Sequence, residues 1–239
     1  MFLVEGRRAV LDALTSSAKV VKVFVSSEAQ GADEISRLAG STGVPVLTTS
    51  RGVAASLSDS HTPQGIVAVV SAVGADISAL PGRAGLVLVL AAVRDPGNAG
   101  TLVRSAAAAG ADAVVFSSGS VDPLGPKTVR ACAGALFSTP VVRDIDLGDA
   151  VSHLRDAGLM MVGTDARAPT APEQVDLTGP VAVVVGNEAW GLPAEVSELL
   201  DETVGIPMPG PVESLNVGIA GSIVLFEAVR QRRKARGPR

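Results

Sequence analysis

Residues 85–93 read GLVLVLAAV and residues 94–111 read RDPGNAGTLVRSAAAAGA. An unbroken aliphatic run, a Pro-Gly turn and a small-residue helical pattern make one strand–turn–helix unit. The run is too continuous for a strand with one face in water, so both faces are buried, as in a parallel sheet wrapped by helices. The pattern recurs downstream. ADAVVF (111–116), TPVVR (139–143), GLMMVGT (158–164) and PVAVVVG (180–186) are further apolar strands, with helix candidates at 98–109, 126–137, 147–157 and 193–201. The fold class is therefore α/β, and ligand chemistry is expected just beyond the carboxyl ends of the strands.

A smaller α/β unit precedes this one. EGRRAVLDAL (5–14) and GADEISRLAG (31–40) have helical patterns, while VVKVFV (20–25), VPVLT (44–48) and GIVAVVS (65–71) are strands. SLSDSHTPQ (56–64) is turn-rich, and AVGADISALPGRAG (72–85) has the Gly, Ala and Pro content of a connection. The expected organisation is a first domain over 1–72, a linker over 73–84 and a second domain over 85–239.

Composition limits the function classes. With 239 residues, 47% hydrophobic and 18% charged, the chain can bury a large core. No apolar run approaches the roughly 20 residues of a membrane span, and the N-terminus MFLVEGRRAV has neither the length nor the charge order of a signal peptide. One cysteine, Cys132, excludes an intrachain disulfide, and with only His61 and His153 beside it no metal site is expected. These features point to a cytoplasmic protein. Net charge is −4, yet the last ten residues, RQRRKARGPR (230–239), carry Arg230, Arg232, Arg233, Lys234, Arg236 and Arg239 and no acidic residue. Such an end is either a solvated terminus or a segment that meets phosphates.

Three polar stretches follow strands. In the first, 94–111, Asn98 can cap a helix that carries Arg104 in its early turns, where the macrodipole disfavours a cation. The flanking RSAAAAGA offers no acidic partner, so Arg104 is either simply solvated or is waiting for an anion. In the second, VVVGNEAWGLPAEV (183–196), Gly186 ends a strand, Asn187 and Glu188 follow, and Pro193 opens another helix. The third, PGPVESLNVGIAGSIVLFEAV (209–229), places Glu213, Ser214 and Asn216 at the mouth of an apolar helix. Its Gly and Pro residues force an irregular backbone with amides free to bind a ligand. A cap explains Ser214 or Asn216, but not both with Glu213 added. None of the three fits G-x-x-x-x-G-K-[ST] or G-x-G-x-x-G.

The ordered set NAGTLVRSAAAAGA, VVVGNEAWGLP and IPMPGPVESLNVGIAGSIVLFEA resembles the three motifs of the SpoU/TrmH family of RNA ribose 2′-O-methyltransferases, over roughly 85–233. VEGRRAVLDAL and HTPQGIVAVV are similar to the opening and closing of that family's accessory RNA-binding domain, related to ribosomal protein L30e. The resemblance implies an L30e-like domain followed by a parallel-sheet domain with a deep trefoil knot. It implies a homodimer with S-adenosylmethionine bound in the knot and structured RNA, large-subunit ribosomal RNA foremost, as the partner. Carried over by residue, Arg104 matches the catalytic arginine, supported by Asn98. Glu188 and Asn216 match polar partners of the ribose, and Ser214 lines the same pocket. Gly186, Ile206 and Leu215 match positions whose backbone meets the cofactor, Thr164 lies at its rim, and Met208 belongs to its wall.

The implied chemistry is an in-line transfer with ribose O2′, methyl carbon and sulfonium sulfur collinear. Arginine stays charged, which suits stabilising a developing alkoxide or orienting a phosphate better than taking a proton. Aromatics are only 3%, with no tyrosine, and Trp190 is the one exposed-ring candidate for stacking a base. RNA contact then falls to local cations: Arg7, Arg8, Arg51 and the basic end. A thiostrepton-type resistance methylase, a tRNA methylase and a non-catalytic RNA-binding protein are the alternatives.

Overall fold

A computed structural model describes residues 1–58, 60, 62–71, 74–80 and 85–237. The chain divides into two compact units, Met1–Val73 with Leu124–Ser138, and Gly74–Pro123 with Thr139–Arg239.

The first unit runs β1 (Phe2–Glu5), α1 (Arg7–Thr15), β2 (Val20–Ser26), α2 (Ala32–Ser41), β3 (Val46–Thr49), α3 (Arg51–Ser56) and β4 (Ile66–Val70). Its mixed sheet has the order β1-β4-β2-β3, with β4 antiparallel to both neighbours and β2 parallel to β3. Val4, Val10, Val23, Val25, Ile35, Ile66 and Ala68 form the core. The sequence reading missed β1 and α3, which are too short to show a period. Of SLSDSHTPQ, residues 59 and 61 lie outside the described residues.

In the second unit come β5 (Leu86–Leu90), α4 (Pro96–Ala109) and β6 (Ala113–Ser117). The chain then contributes α5 (Pro126–Cys132) and a 3-10 turn, Ala135–Phe137, to the first unit, where Val129 joins the core and Phe137 stacks on Phe2. A single helix was expected over 126–137. It breaks because Ala133 and Gly134 take positive φ, and a Cβ on Gly134 would lie 2.2 Å from the Asp12 carboxylate. The second unit resumes with β7 (Val141–Ile145), α6 (Leu147–Asp156), β8 (Met160–Thr164), β9 (Val181–Val185), α7 (Ala194–Ser197), β10 (Glu202–Val204) and α8 (Val217–Ala235).

These strands form one parallel sheet, β10-β8-β9-β5-β6-β7. Every residue of β5, β6 and β9 is buried, as a sheet covered on both faces requires. Val87, Val89, Val115, Ala182 and Val184 pack with Val151 and Leu154 of α6 on one face. Alternation turns Leu86, Leu88, Val183 and Val185 to the other, where α4 contacts β5 and α8 contacts β9. Gly221 lets α8 come close: a Cβ there would lie 2.5 Å from Leu102 and 2.9 Å from Val185. The edge strand β10 had no sequence signal, since two of its three residues are polar. Of the expected linker, residues 73 and 81–84 lie outside the described residues, whereas Ala75, Ile77 and Leu80 pack on the second unit's core. Among the described residues no helix is long and apolar enough to cross a membrane, and no three metal-ligating side chains gather.

The basic end is largely helix, and part of it faces inward. Arg230 pairs with Glu227 at 2.7 Å. Gln231 accepts from the Leu177 N–H and donates to the carbonyls of Pro172 and Val175. Arg232 donates to the carbonyls of Leu177, Gly85 and Gly179 at 3.0, 2.6 and 2.6 Å. Partial burial holds the Arg232 guanidinium below its ordinary value, against the opposing pull of Asp112. Arg232 therefore ties the end of α8 to the segments that start β5 and β9. Arg232→Met is expected to cost about 1–3 kcal/mol, because it strands those carbonyls, and thermal unfolding would register the loss. Deleting 233–239 should leave the melting temperature nearly unchanged. It should flatten the salt dependence of RNA binding if those charges touch phosphates, and an unchanged salt slope would assign the end to solvent alone.

Candidate active site at the carboxyl ends of the strands

Sequence-adjacent β5 and β6 are neighbours, whereas the other side of β5 is taken by β9, so the winding reverses between β5 and β9. The crevice of an open parallel sheet lies at such a point. Two loops meet there, 91–95 after β5 and 186–191 after β9. Ala92 sits at φ 56°, an unfavourable conformation for a residue with a Cβ. The peptides on both sides of it are held: its N–H donates to Ser117 Oγ at 3.0 Å, and its carbonyl accepts from Asn187 Nδ2 at 2.7 Å. Asn187 is buried, accepts the Ala189 N–H through Oδ1 at 2.8 Å and pairs with Gly191 through the backbone. Gly186 must be glycine for a packing reason, since a Cβ would lie 2.4 Å from the backbone of Gly191.

On this support stands a chain of three side chains. Glu188 accepts the N–H groups of Arg94 (3.3 Å) and Asp95 (3.1 Å) and the side-chain amide of Asn98 (3.1 Å). Asn98 Oδ1 in turn accepts from Asn216 Nδ2 at 2.7 Å. Asn216 also caps α8 by accepting the Ile219 N–H at 3.2 Å. The helix cap is thus Asn216, and Ser214 is exposed. Likewise α4 is capped by Asp95, which frees the Asn98 side chain for Glu188 and Asn216. Partial burial alone would raise the Glu188 carboxyl, but bonds from Asn98 and from the backbone at 188, 95 and 94 outweigh it and hold the group below the usual carboxylate range.

The remaining expected residues fall into two groups. Thr164 ends β8, its hydroxyl donating to the Val184 carbonyl at 3.4 Å, and Gly186 follows β9. Ile206, Met208 and Leu215 are half-buried in the segment after β10, so this group spans the carboxyl ends of three adjacent strands. The N–H groups of Ile206, Met208 and Leu215 make no hydrogen bond to another described residue. Arg104 stands apart. It is exposed past the middle of α4, not in the early turns, and has no partner among the described residues. It lies about 9 Å further along the axis than Asn98. Sequence reasoning missed Ser117, Asp95 and the structural task of Asn187, whose signal is only in three dimensions.

A family model described as the SpoU rRNA methylase family matches residues 85–226, and one described as RNA 2′-O ribose methyltransferase substrate binding matches residues 3–74. The chain belongs to the SpoU methylase family. Among SpoU-like relatives, an uncharacterized tRNA/rRNA methyltransferase of Mycolicibacterium vanbaalenii is 36% identical over 98% of this chain and 77% of its own. The 23S rRNA (guanosine(2553)-2′-O)-methyltransferase RlmP of Bacillus subtilis is 33% identical over 94% of this chain and 87% of its own. Among solved structures, the SpoU methyltransferase AviRb of Streptomyces viridochromogenes, in complex with AdoMet, has a TM-score of 0.87 and 32% identity, covering 97% of this chain and 90% of that one.

Proposed function

We propose that this SpoU-family chain methylates a ribose 2′-hydroxyl in structured RNA, using S-adenosylmethionine, and that the RNA is ribosomal. The observation that carries the reading is the Glu188–Asn98–Asn216 chain at the crevice, built from all three motifs. The cofactor fits: Ile206, Met208 and Leu215 are half-buried residues whose N–H groups bond to no other described residue, which leaves three donors for a ligand beside Thr164 and Gly186. When bound, S-adenosylmethionine supplies a methyl group on a positively charged sulfur. The protein's part is to hold the ribose hydroxyl in line, where approximation contributes up to about 7–11 kcal/mol. Asn216, fixed from both sides, orients the hydroxyl. Glu188, already accepting bonds from Asn98 and from the backbone and held below the usual carboxylate range, positions Asn98 and is too weak a base to take the proton near neutrality. Arg104 stabilises the oxygen as charge develops.

A second copy completes the site in this reading. Ile219, Ile223 and Phe226 recur at helical spacing on α8 and are 51%, 40% and 46% exposed, an apolar stripe on the face away from α4 and the sheet. A second copy's stripe would cover it by symmetry, and α4, bonded to α8 through Ser105 and Ser222, is the neighbouring element from which this reading lends Arg104 to the other copy's site. The family's knot belongs to the same reading. Its support is that α8 returns from edge strand β10 to cover β9 and fastens by Gln231 and Arg232 to the segment before β9. In the first unit, Arg7 is engaged by Glu34 at 2.6 Å and Arg8 by Asp12 at 3.1 Å. Arg51 has no partner among the described residues and lines a cleft of about 190 Å³ with Ser26, Glu28 and Gln64, which makes it the best-placed of the three for RNA.

The test is a map of ribose methylation across ribosomal and transfer RNA in a knockout strain, with calorimetry of the purified protein. One ribosomal 2′-O-methyl group should vanish and S-adenosylmethionine should bind. Loss of a transfer RNA methyl group alone would replace the ribosomal assignment. An unchanged map with no S-adenosylmethionine heat would leave a non-catalytic RNA-binding protein.

A further inference from the structure

Trp190 lies two residues beyond Glu188 and is 55% exposed. It is the only tryptophan in a chain that has no tyrosine. The Arg94 guanidinium carbon sits 4.9 Å from the ring centroid, so one face carries a cation. The backbone of Arg94 is anchored, because its main-chain N–H donates to Glu188, the carboxylate that also holds Asn98. Both residues thereby belong to the loops that carry the polar chain of the crevice, and the guanidinium lies over the ring of a residue largely open to solvent. A flat aromatic surface, backed by a cation and set beside the place where a ribose must lie, is the chemistry that holds an unpaired nucleobase by stacking.

We propose that Trp190, backed by Arg94, is a stacking site for an unpaired base of the RNA beside the ribose being methylated. The inference rests on the RNA-methylating reading and deepens it by naming what grips the nucleotide. It also accounts for how so aromatic-poor a chain engages splayed bases. Stacking is tolerant of base identity, so the site contributes affinity for unpaired RNA, with purines held more firmly than pyrimidines because their ring surface is larger.

Because Trp190 is the sole tryptophan, its fluorescence reports on one place. Titration with the unpaired hexanucleotides rA6 and rU6 should quench the emission, rA6 at the lower concentration. Trp190→Ala should weaken rA6 binding, followed by anisotropy of labelled oligonucleotide, roughly 5- to 150-fold. Trp190→Phe should keep most of the affinity, and S-adenosylmethionine heats should be the same in all three proteins. Binding of rA6 without quenching, or equal rA6 affinity in Trp190→Ala, overturns the proposal. So does quenching by S-adenosylmethionine alone with weaker cofactor binding in Trp190→Ala, which would put the ring over the cofactor. Sedimentation showing that Trp190→Ala alone splits a dimer would assign the ring to a protein interface instead. These readouts need no methyl transfer, so an unchanged methylation map sinks the enzymatic reading without deciding the stack.

Discussion

Arg104→Ala is expected to slow methyl transfer by about 10²–10³-fold, the usual cost of removing one group that meets developing charge. S-adenosylmethionine affinity and melting temperature should hardly change, because Arg104 is exposed and makes no bond to a described residue. Arg104→Lys should recover part of the rate, since the charge returns without the planar fork. Near-normal single-turnover rates for Arg104→Ala would reduce the residue to a solvated side chain. The position of Arg104 also tests the second copy. In a single chain it lies well along α4 from Asn98, Glu188 and Asn216, which are bonded to one another. If one copy lends Arg104 to its partner's crevice, mixing Arg104→Ala with Asn216→Ala protein leaves one intact site in each mixed dimer. An equal mixture with random pairing then regains about a quarter of the wild-type sites. A site complete within one chain would give no rescue beyond the sum of the two variants.

The sheet was legible because its strands are buried on both faces and so are written as aliphatic runs. GLVLVLAAV and PVAVVVG need no alternation to be read. Elements whose stability comes from neighbours were not legible. β1 has four residues and β10 three, and neither has a length at which periodicity can speak. The caps show a subtler limit. Asn98 and Ser214 are reasonable caps by local rules, yet Asp95 and Asn216 hold those places, because Asn98 is drawn to a carboxylate 90 residues away and to an amide 118 residues away. Only the ordered resemblance of three stretches pointed to that grouping, since spacing cannot relate such distant positions. Arg232 was counted with the basic end for the same reason, as a sequence does not reveal which side of a helix meets three carbonyls. Ala92 gave no signal: an alanine at positive φ is written like any other, and its cost is met by Ser117 and Asn187, from two other strand ends.

The largest effect within the polar chain is expected for Glu188→Ala. That change removes the acceptor for the Arg94 and Asp95 N–H groups and for the Asn98 amide, so the turn into α4 loosens and Asn216 loses its fixed partner. Misplacement of a positioning group by about 1 Å can cost 10²-fold, and a loss of at least that order is expected in kcat. The three residues act as a unit, so Glu188→Ala with Asn98→Ala should cost little more than either alone. Additive losses would mean that the hydrogen bonds carry no coupling. The pH dependence separates this role from general base catalysis. Glu188 has a folded-state pKa below its ordinary value of 4.5. Its ionised form therefore stabilises the native loop fully above the unfolded value, and that contribution is lost as pH falls through the lower folded value. A melting-temperature gap between wild type and Glu188→Gln should accordingly hold constant from neutrality down to about pH 5 and close only in stronger acid. A proton-accepting Glu188 would instead need a raised pKa, and kcat would fall with an apparent value nearer neutrality that disappears in Glu188→Gln. A pH profile without that limb, together with the persistent gap, places Glu188 as the residue that holds Asn98 and Asn216 in line while the proton leaves by another route.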